Sequence, residues 1–241
     1  MKRAIQYTMP EKGRPVQSRR PRPEPERIDV AALYEDEWLL AVDKPPGMVV
    51  HPTYRNWSGT LLNGLLWRFR DRPAIEPRIV TRLDKDTSGL VVVALNADVH
   101  ARIQQDAAKG RIVKEYLAVV HGRPDPRRGA IALPLARSAA DRRRVVVDPC
   151  GQESETRYEV LSEGPVSVVR CELITGRTHQ IRVHLAARGW PILGDRVYGT
   201  PDGTLPRQAL HAWRVSLPHP VSRDPVALEA PVPDDLRRFF P

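Results

Sequence analysis

Arg82-Leu83-Asp84-Lys85-Asp86-Thr87-Ser88-Gly89-Leu90 crowds charges and hydroxyls into one short turn, and Val91, Val92, Val93 and Leu95 follow at once. A β-branched run of this kind reads as a buried strand leaving the turn, which holds Asp84 near the strand's edge. Asp84, Asp86, Ser88 and Gly89 fall on positions one, three, five and six of a calcium-binding loop. Position twelve is Leu95, where a bidentate glutamate is required, and Arg82 would repel a cation. An Asx or Ser/Thr turn, whose side chains only cap the backbone, accounts for Asp86, Thr87 and Ser88. It gives no reason for Asp84 to stand beside Arg82.

Asp84, Asp86 and Thr87 also resemble the Asp-x-Asp-x-Thr motif of haloacid-dehalogenase-type phosphatases, with Asp84 as nucleophile. Thr81 and Arg82 break the apolar strand that family needs before its aspartate, and Asp234 with Asp235 is the one acidic pair downstream to consider for magnesium. A closer resemblance joins the Asp84 turn to VDKPPGMVVHP (Val42 to Pro52) and TGRTHQIRVHLA (Thr175 to Ala186), with GDRVYG (Gly194 to Gly199) and LHA (Leu210 to Ala212) behind them in order. Together these resemble the pseudouridine synthases of the RluA type, from about Ile28 onward.

The resemblance implies a pseudouridine synthase fold of the α+β class: a bent, mainly antiparallel central sheet flanked by helices and loops, with a catalytic cleft across the middle. It implies an isomerase that converts specific uridines of structured RNA, ribosomal or transfer RNA stem-loops, to pseudouridine. Asp84 is then the nucleophile, Tyr116 of KEYLAVVHG the active-site tyrosine, and Arg182 the basic partner of the aspartate. Arg82 matches the arginine that can fill the gap left by a flipped base. Thr81 departs from the family, which usually has His there, and this bears on how the loop is oriented or which RNA it prefers.

Composition agrees. The 241 residues suffice for one sizeable core or two small lobes. A net charge of +9 favours a polyanionic partner, RNA ahead of an acidic membrane, because no amphipathic anchor accompanies it. No apolar run approaches eighteen residues and no signal peptide is evident, so a soluble cytoplasmic protein is expected. The two cysteines, Cys150 and Cys171, and the seven histidines lack ligand spacing, so no metal is expected. No glycine-rich phosphate loop or dinucleotide fingerprint is present either, and isomerisation without net redox change or hydrolysis needs no cofactor.

Residues 1–27 hold five prolines and eight Lys or Arg against three glutamates, and read as a basic flexible tail, either a solvated terminus or an arm that touches RNA phosphates. That stretch is too short for the S4 RNA-binding domain of some family members, so residues 28–241 are expected to form the catalytic domain and capture RNA themselves. Two strands are expected around the Glu35 to Glu37 turn, then a helix over about 60–69. A second helix, capped by Asn96 and ended by Gly110, should carry Val99, Ile103 and Ala107 inward. Ile112 to Val120, apolar on both faces, reads as an interior strand with Tyr116 in its middle. Four or five strands then follow between Ile131 and Ile174 without a helix, pairing antiparallel. Arg142, Arg143 and Arg144 lie on a hairpin there and are candidate phosphate contacts.

The chemistry requires a carboxylate beneath the target ribose, able to attack the sugar or to stabilise positive charge as the base departs. A desolvated aspartate tends to protonate unless a cation stays beside it, so an arginine should stand close. Thr178 as N-cap of a helix over 179–188 would set His179 and Arg182 one turn apart on one face while Ile181 and Leu185 pack inward. A uridine held in a stem must be flipped out, at roughly a few kcal/mol, and Tyr116 can stack on it. Thr87, Arg177 and His179 are further candidate RNA contacts. Lys44, His51 and Pro52 read as a structural or RNA-facing motif near the cleft. A catalytically silent RNA-binding protein on the same scaffold is the non-enzymatic alternative. No feature calls for an obligatory protein partner or more than a monomer.

Overall fold

Residues 22–54, 56–200 and 203–240 are described by the computed structural model. Strands β1 (Ala31–Glu35) and β2 (Leu39–Lys44) meet at a turn where the Asp36 carboxylate accepts the amides of Trp38 and Leu39, both at 2.7 Å. Helix α1 (Leu61–Arg68) begins at a reciprocal cap between Thr60 and Asn63. The short β3 (Arg78–Ile79) leads to the Asp84 turn, and β4 (Ser88–Ala94), buried along its whole length, leaves it.

Helix α2 (Ala97–Ala108) starts where Asn96 Oδ1 accepts the Val99 amide at 2.9 Å. Val99 and Ile103 point inward as expected, but Ala107 is exposed and Asp106 takes the inward place. Two bonds from Arg223, at 2.8 and 2.9 Å, hold that carboxylate there. Five strands then run without a helix between the second and third helices after β5 (Val113–His121): β6 (Arg128–Ala132), β7 (Leu135–Arg137), β8 (Val145–Val147), β9 (Glu155–Ser162) and β10 (Val166–Leu173). Helix α3 (Gln180–Ala187), β11 (Leu210–Pro218), β12 (Pro225–Glu229) and α4 (Asp234–Arg237) complete the described chain.

Ten strands form one sheet with the path β1-β2-β4-β11-β5-β10-β9-β6, to which β12 and β3 add beside β11 and β4, while β7 and β8 pair separately. The fold is thus the expected α+β one. Every pairing is antiparallel except that of β4 with β11, which lasts only two residue pairs, Ser88 with His211 and Ala212 with Gly89. β5 is interior, between β11 and β10, which explains its apolar character on both faces.

The short parallel seam needs Gly89. Its φ is +109°, and a Cβ there would sit 2.2 Å from the Ala212 carbonyl oxygen. Gly89→Ala should therefore lose about 3 kcal/mol or more, through strain and forced separation of the two strands, read as a lowered urea midpoint.

Leu83, next to Asp84, packs against both apolar clusters beside it, one around Tyr116, Ile181 and Leu185, the other around Leu61, Val91 and Val93. Lys44 is fully buried and donates to the carbonyls of Pro45, Met48 and Lys85 at 2.7, 2.9 and 3.0 Å. It staples the Pro-Pro-Gly bend to the Asp84 turn and does not face outward as an RNA contact would. Burial pushes its ammonium down to about 8.

Most of the expected tail, residues 1–21, lies outside the described residues. Its last part is docked: Glu24 O accepts from Asn63 Nδ2 at 2.7 Å, the Glu26 amide donates to Asn63 O, and its carboxylate caps the Gly59 amide at 2.9 Å. Among the described residues no helix is long and apolar enough to cross a membrane.

Candidate active site

A cleft of about 350 Å³ opens where the Asp84 turn, β5 and the loop before α3 converge, and Asp84, Tyr116, Arg182, Arg82, Arg177 and His179 all line it. Asp84 sits between β3 and β4, its turn closed by the Thr87 amide donating to Asp84 O at 3.2 Å. Arg182 Nη1 donates to Asp84 Oδ2 at 2.8 Å, and the arginine side chain is only 6% exposed. No hydrogen bond reaches Oδ1 of Asp84 from the described residues.

Arg182 is itself held. Its Nε and Nη2 donate to the two oxygens of Asp195, at 2.7 and 2.9 Å, and that carboxylate is fully buried. Asp195 Oδ1 also accepts the amides of Val197 and Tyr198, at 2.9 and 3.1 Å. Burial alone would lower the Arg182 guanidinium's affinity for its proton, but the bonds to Asp195 and the neighbouring Asp84 raise it above the ordinary arginine value. One guanidinium thus fixes two carboxylates through a planar fork that a lysine lacks.

The local build of α3 differs from expectation. Thr178 is exposed and does not cap it; the N-cap is His179, in the left-handed region at φ 55°, without a side-chain cap bond. Gln180 supplies the missing order from inside the helix, its Oε1 accepting from the Arg177 amide at 2.9 Å and from Thr175 Oγ1 at 2.8 Å. The helix is buried from Gln180 to Leu185, with Ile181 and Leu185 in the core. His179 Nε2 stands 3.8 Å from Asp84 Oδ2, and its Nδ1 is 2.8 Å from the Tyr198 hydroxyl. Burial lowers the His179 ring below its usual value, with Asp84 opposing in part, so it stands neutral near pH 7.

Tyr116 projects from β5 with 8% exposure. Burial, and secondarily Asp84, pushes its phenol well above the usual range, so it stays protonated. Arg82 is exposed at the mouth without a partner among the described residues. Thr87 lines the cleft but is almost fully buried, and its hydroxyl accepts from Gln208 Nε2 at 3.2 Å, which braces the turn. Thr81 Oγ1 accepts the Val92 amide at 2.9 Å, tying the entry of the turn to β4.

Arg142, Arg143 and Arg144 are on the loop between β7 and β8, as expected of a hairpin, but none lines the cleft. Arg143 is engaged in two bonds to Asp141, both 2.9 Å, and Arg144 donates to Val197 O at 2.8 Å. Asp235 pairs with Arg207 at 2.7 Å and Asp234 with Arg237 at 3.0 Å, so both aspartates have cationic partners outside the cleft.

Sequence reasoning passed over Lys114, which lines the cleft two residues before Tyr116 on the same face of β5, and burial lowers its ammonium below the usual lysine value. It also gave no role to Asp195 or Tyr198.

Two buried histidines behind the site contribute to acid sensitivity. His211 bonds Ser88 Oγ at 3.0 Å, and burial pushes it down to about 4; His184 lies between Thr156 Oγ1 and Leu133 O and is lowered too. In the fold both rings stay neutral, whereas the unfolded chain takes up protons below about pH 6.5. Stability is therefore complete above that pH and is lost as pH falls toward 4, by up to about 3 kcal/mol from His211. Urea midpoints measured from pH 7 to 5 should fall, and His211→Gln should flatten the slope.

The RNA pseudouridylate synthase family model matches residues 38–187. The chain is 43% identical to ribosomal large subunit pseudouridine synthase D of Nitrosomonas europaea, over 88% of its own length and 64% of that protein's. It is 41% identical to the uncharacterized RNA pseudouridine synthase YlyB of Bacillus subtilis, over 90% and 76% respectively. Human RNA pseudouridylate synthase domain containing 1 superposes with a TM-score of 0.70 at 28% identity, covering 84% of this chain and 83% of that one. Motifs, sheet and cleft therefore converge: the chain belongs to the RNA pseudouridylate synthase family, isomerases that act on uridines of RNA.

Proposed function

We propose that this chain converts a flipped uridine of structured RNA to pseudouridine, with Asp84 as its nucleophile. One observation carries this: a carboxylate in a cleft of nucleoside size, bonded through one oxygen to a buried arginine, with its other oxygen free of hydrogen bonds from the described residues. The bond between ribose C1′ and N1 breaks, the uracil rotates, C5 bonds to C1′, C5 gives up its proton and N1 takes one up. Asp84 Oδ1 faces the sugar, whether to bond C1′ or to stabilise positive charge on it. Tyr116, kept protonated, offers its ring for stacking and its hydroxyl as a donor to the uracil. Arg182 holds Asp84 aimed through its bond to Oδ2.

Arg82, Arg177, His179 and Lys114 form the wall that meets the RNA, with Arg82 at the mouth where the flipped base leaves a gap. The arginine loop at 142–144 adds phosphate contacts at the rim, where the exposed Arg143 can exchange Asp141 for a phosphate. RNA is the partner and the cytoplasm the setting. A monomer suffices, because a single chain supplies Asp84, Tyr116 and Arg182. The relatives' names favour large-subunit ribosomal RNA over transfer RNA as substrate. Tritium release from C5-labelled uridine in bulk cellular RNA tests the activity, and pseudouridine mapping with and without the gene identifies the position. No release by the wild-type protein would overturn the proposal.

A further inference from the structure

The Tyr198 hydroxyl is the meeting point of three elements. It accepts the Val145 amide of β8 at 2.8 Å, it lies 2.8 Å from His179 Nδ1, and it follows Asp195 on the loop that grips Arg182. Its ring packs 5.1 Å from the Arg182 guanidinium and edge-on to His179. A phenol oxygen has one hydrogen and two lone pairs. With Val145 donating into one lone pair, the hydroxyl hydrogen is free to go to His179 Nδ1. The other side of the imidazole requires the same arrangement, because a lone pair on Nε2 facing a carboxylate oxygen 3.8 Å away would be repelled.

From this geometry we infer that Tyr198 is a positioning residue for the reaction: it fixes His179 as the tautomer with hydrogen on Nε2, directed at Oδ2 of Asp84. Arg182 addresses the same oxygen. Its guanidinium donates to Oδ2, and the His179 N–H faces that oxygen from 3.8 Å, an electrostatic contact longer than a hydrogen bond, so both act on Oδ2 and Oδ1 is left to meet the ribose. His179 acts on the nucleophile in this arrangement, in addition to any contact with RNA. The inference rests on the proposed isomerase activity and deepens it.

Tyr198→Phe keeps the ring against Arg182 and removes only the hydroxyl. Single-turnover tritium release from C5-labelled bulk RNA should fall roughly tenfold, about the worth of one directed hydrogen bond, with the half-saturating RNA concentration unchanged. His179→Gln, whose amide nitrogen can stand where Nε2 stands, should lose less rate than His179→Leu, and adding Tyr198→Phe to it should cost nothing more. His179→Leu leaves the bond between Tyr198 and Val145 intact and should lose rate like Tyr198→Phe, which carries the test should the latter melt early. Wild-type rate in both Tyr198→Phe and His179→Leu, a loss confined to RNA affinity, or full additivity in the double variant would overturn the inference. Absence of release by the wild-type protein would instead strike the activity itself.

Discussion

Asp84→Asn is expected to abolish tritium release, by on the order of 10⁴-fold or more, while RNA binding in a filter or gel-shift assay stays within a few-fold of wild type. Asparagine keeps the volume and can still bond Arg182 through its carbonyl oxygen, so the turn should remain in place. It removes the anion that the sugar needs as its bond to N1 opens. Affinity should survive because phosphate contacts dominate RNA binding, and Arg82, Arg177 and Lys114 are untouched. A variant that retains turnover would remove Asp84 from the chemistry, and one that loses most affinity would show that the aspartate shapes the RNA-binding surface.

Arg182→Met should fail in two ways at once. Asp195 would be left fully buried with no cation, a loss of about 3–5 kcal/mol visible as a lowered melting temperature. Asp84 would lose its one hydrogen bond from a cation, and the rate should drop roughly 10²- to 10³-fold in molecules that remain folded. Arg182→Lys separates the two effects: an ammonium can serve Asp195 or reach toward Asp84, but cannot span both as the fork does. Stability should recover in large part, and turnover should not. A lysine variant with near wild-type turnover would show that the fork geometry is unnecessary.

What the sequence made legible is local or motif-borne. Asn96 announces α2, Thr60 falls at the start of α1, and the two-faced apolar run around Tyr116 predicts an interior strand, each from residues within a few positions of one another. The Asp84, Tyr116 and Arg182 set followed from resemblance, and the fold brings the three into one cleft. The misses share a cause, namely a partner distant in sequence or a choice among nearby caps. Asp106 displaces Ala107 on the inner side of α2 because Arg223, 117 residues away, pairs with it. Thr178 looked like a cap, but Gln180 reached back to do that work and His179 adopted a left-handed backbone. Thr87 lines the cleft beside Asp84, but its tie to Gln208, 121 residues on, has no local sign in the sequence. Asp195 carries no local sign that it will orient an arginine.

The one-sided bonding of Asp84 bears on how a captured sugar could be let go. If Oδ1 joins C1′, Oδ2 becomes the carbonyl oxygen of an ester, and the Arg182 hydrogen bond has no need to move. The contact that steadied the anion then polarises the ester and favours its departure once the uracil presents C5. Capture and release would run through the same contact in opposite directions, and the enzyme would return to its starting state without water having to cut the linkage.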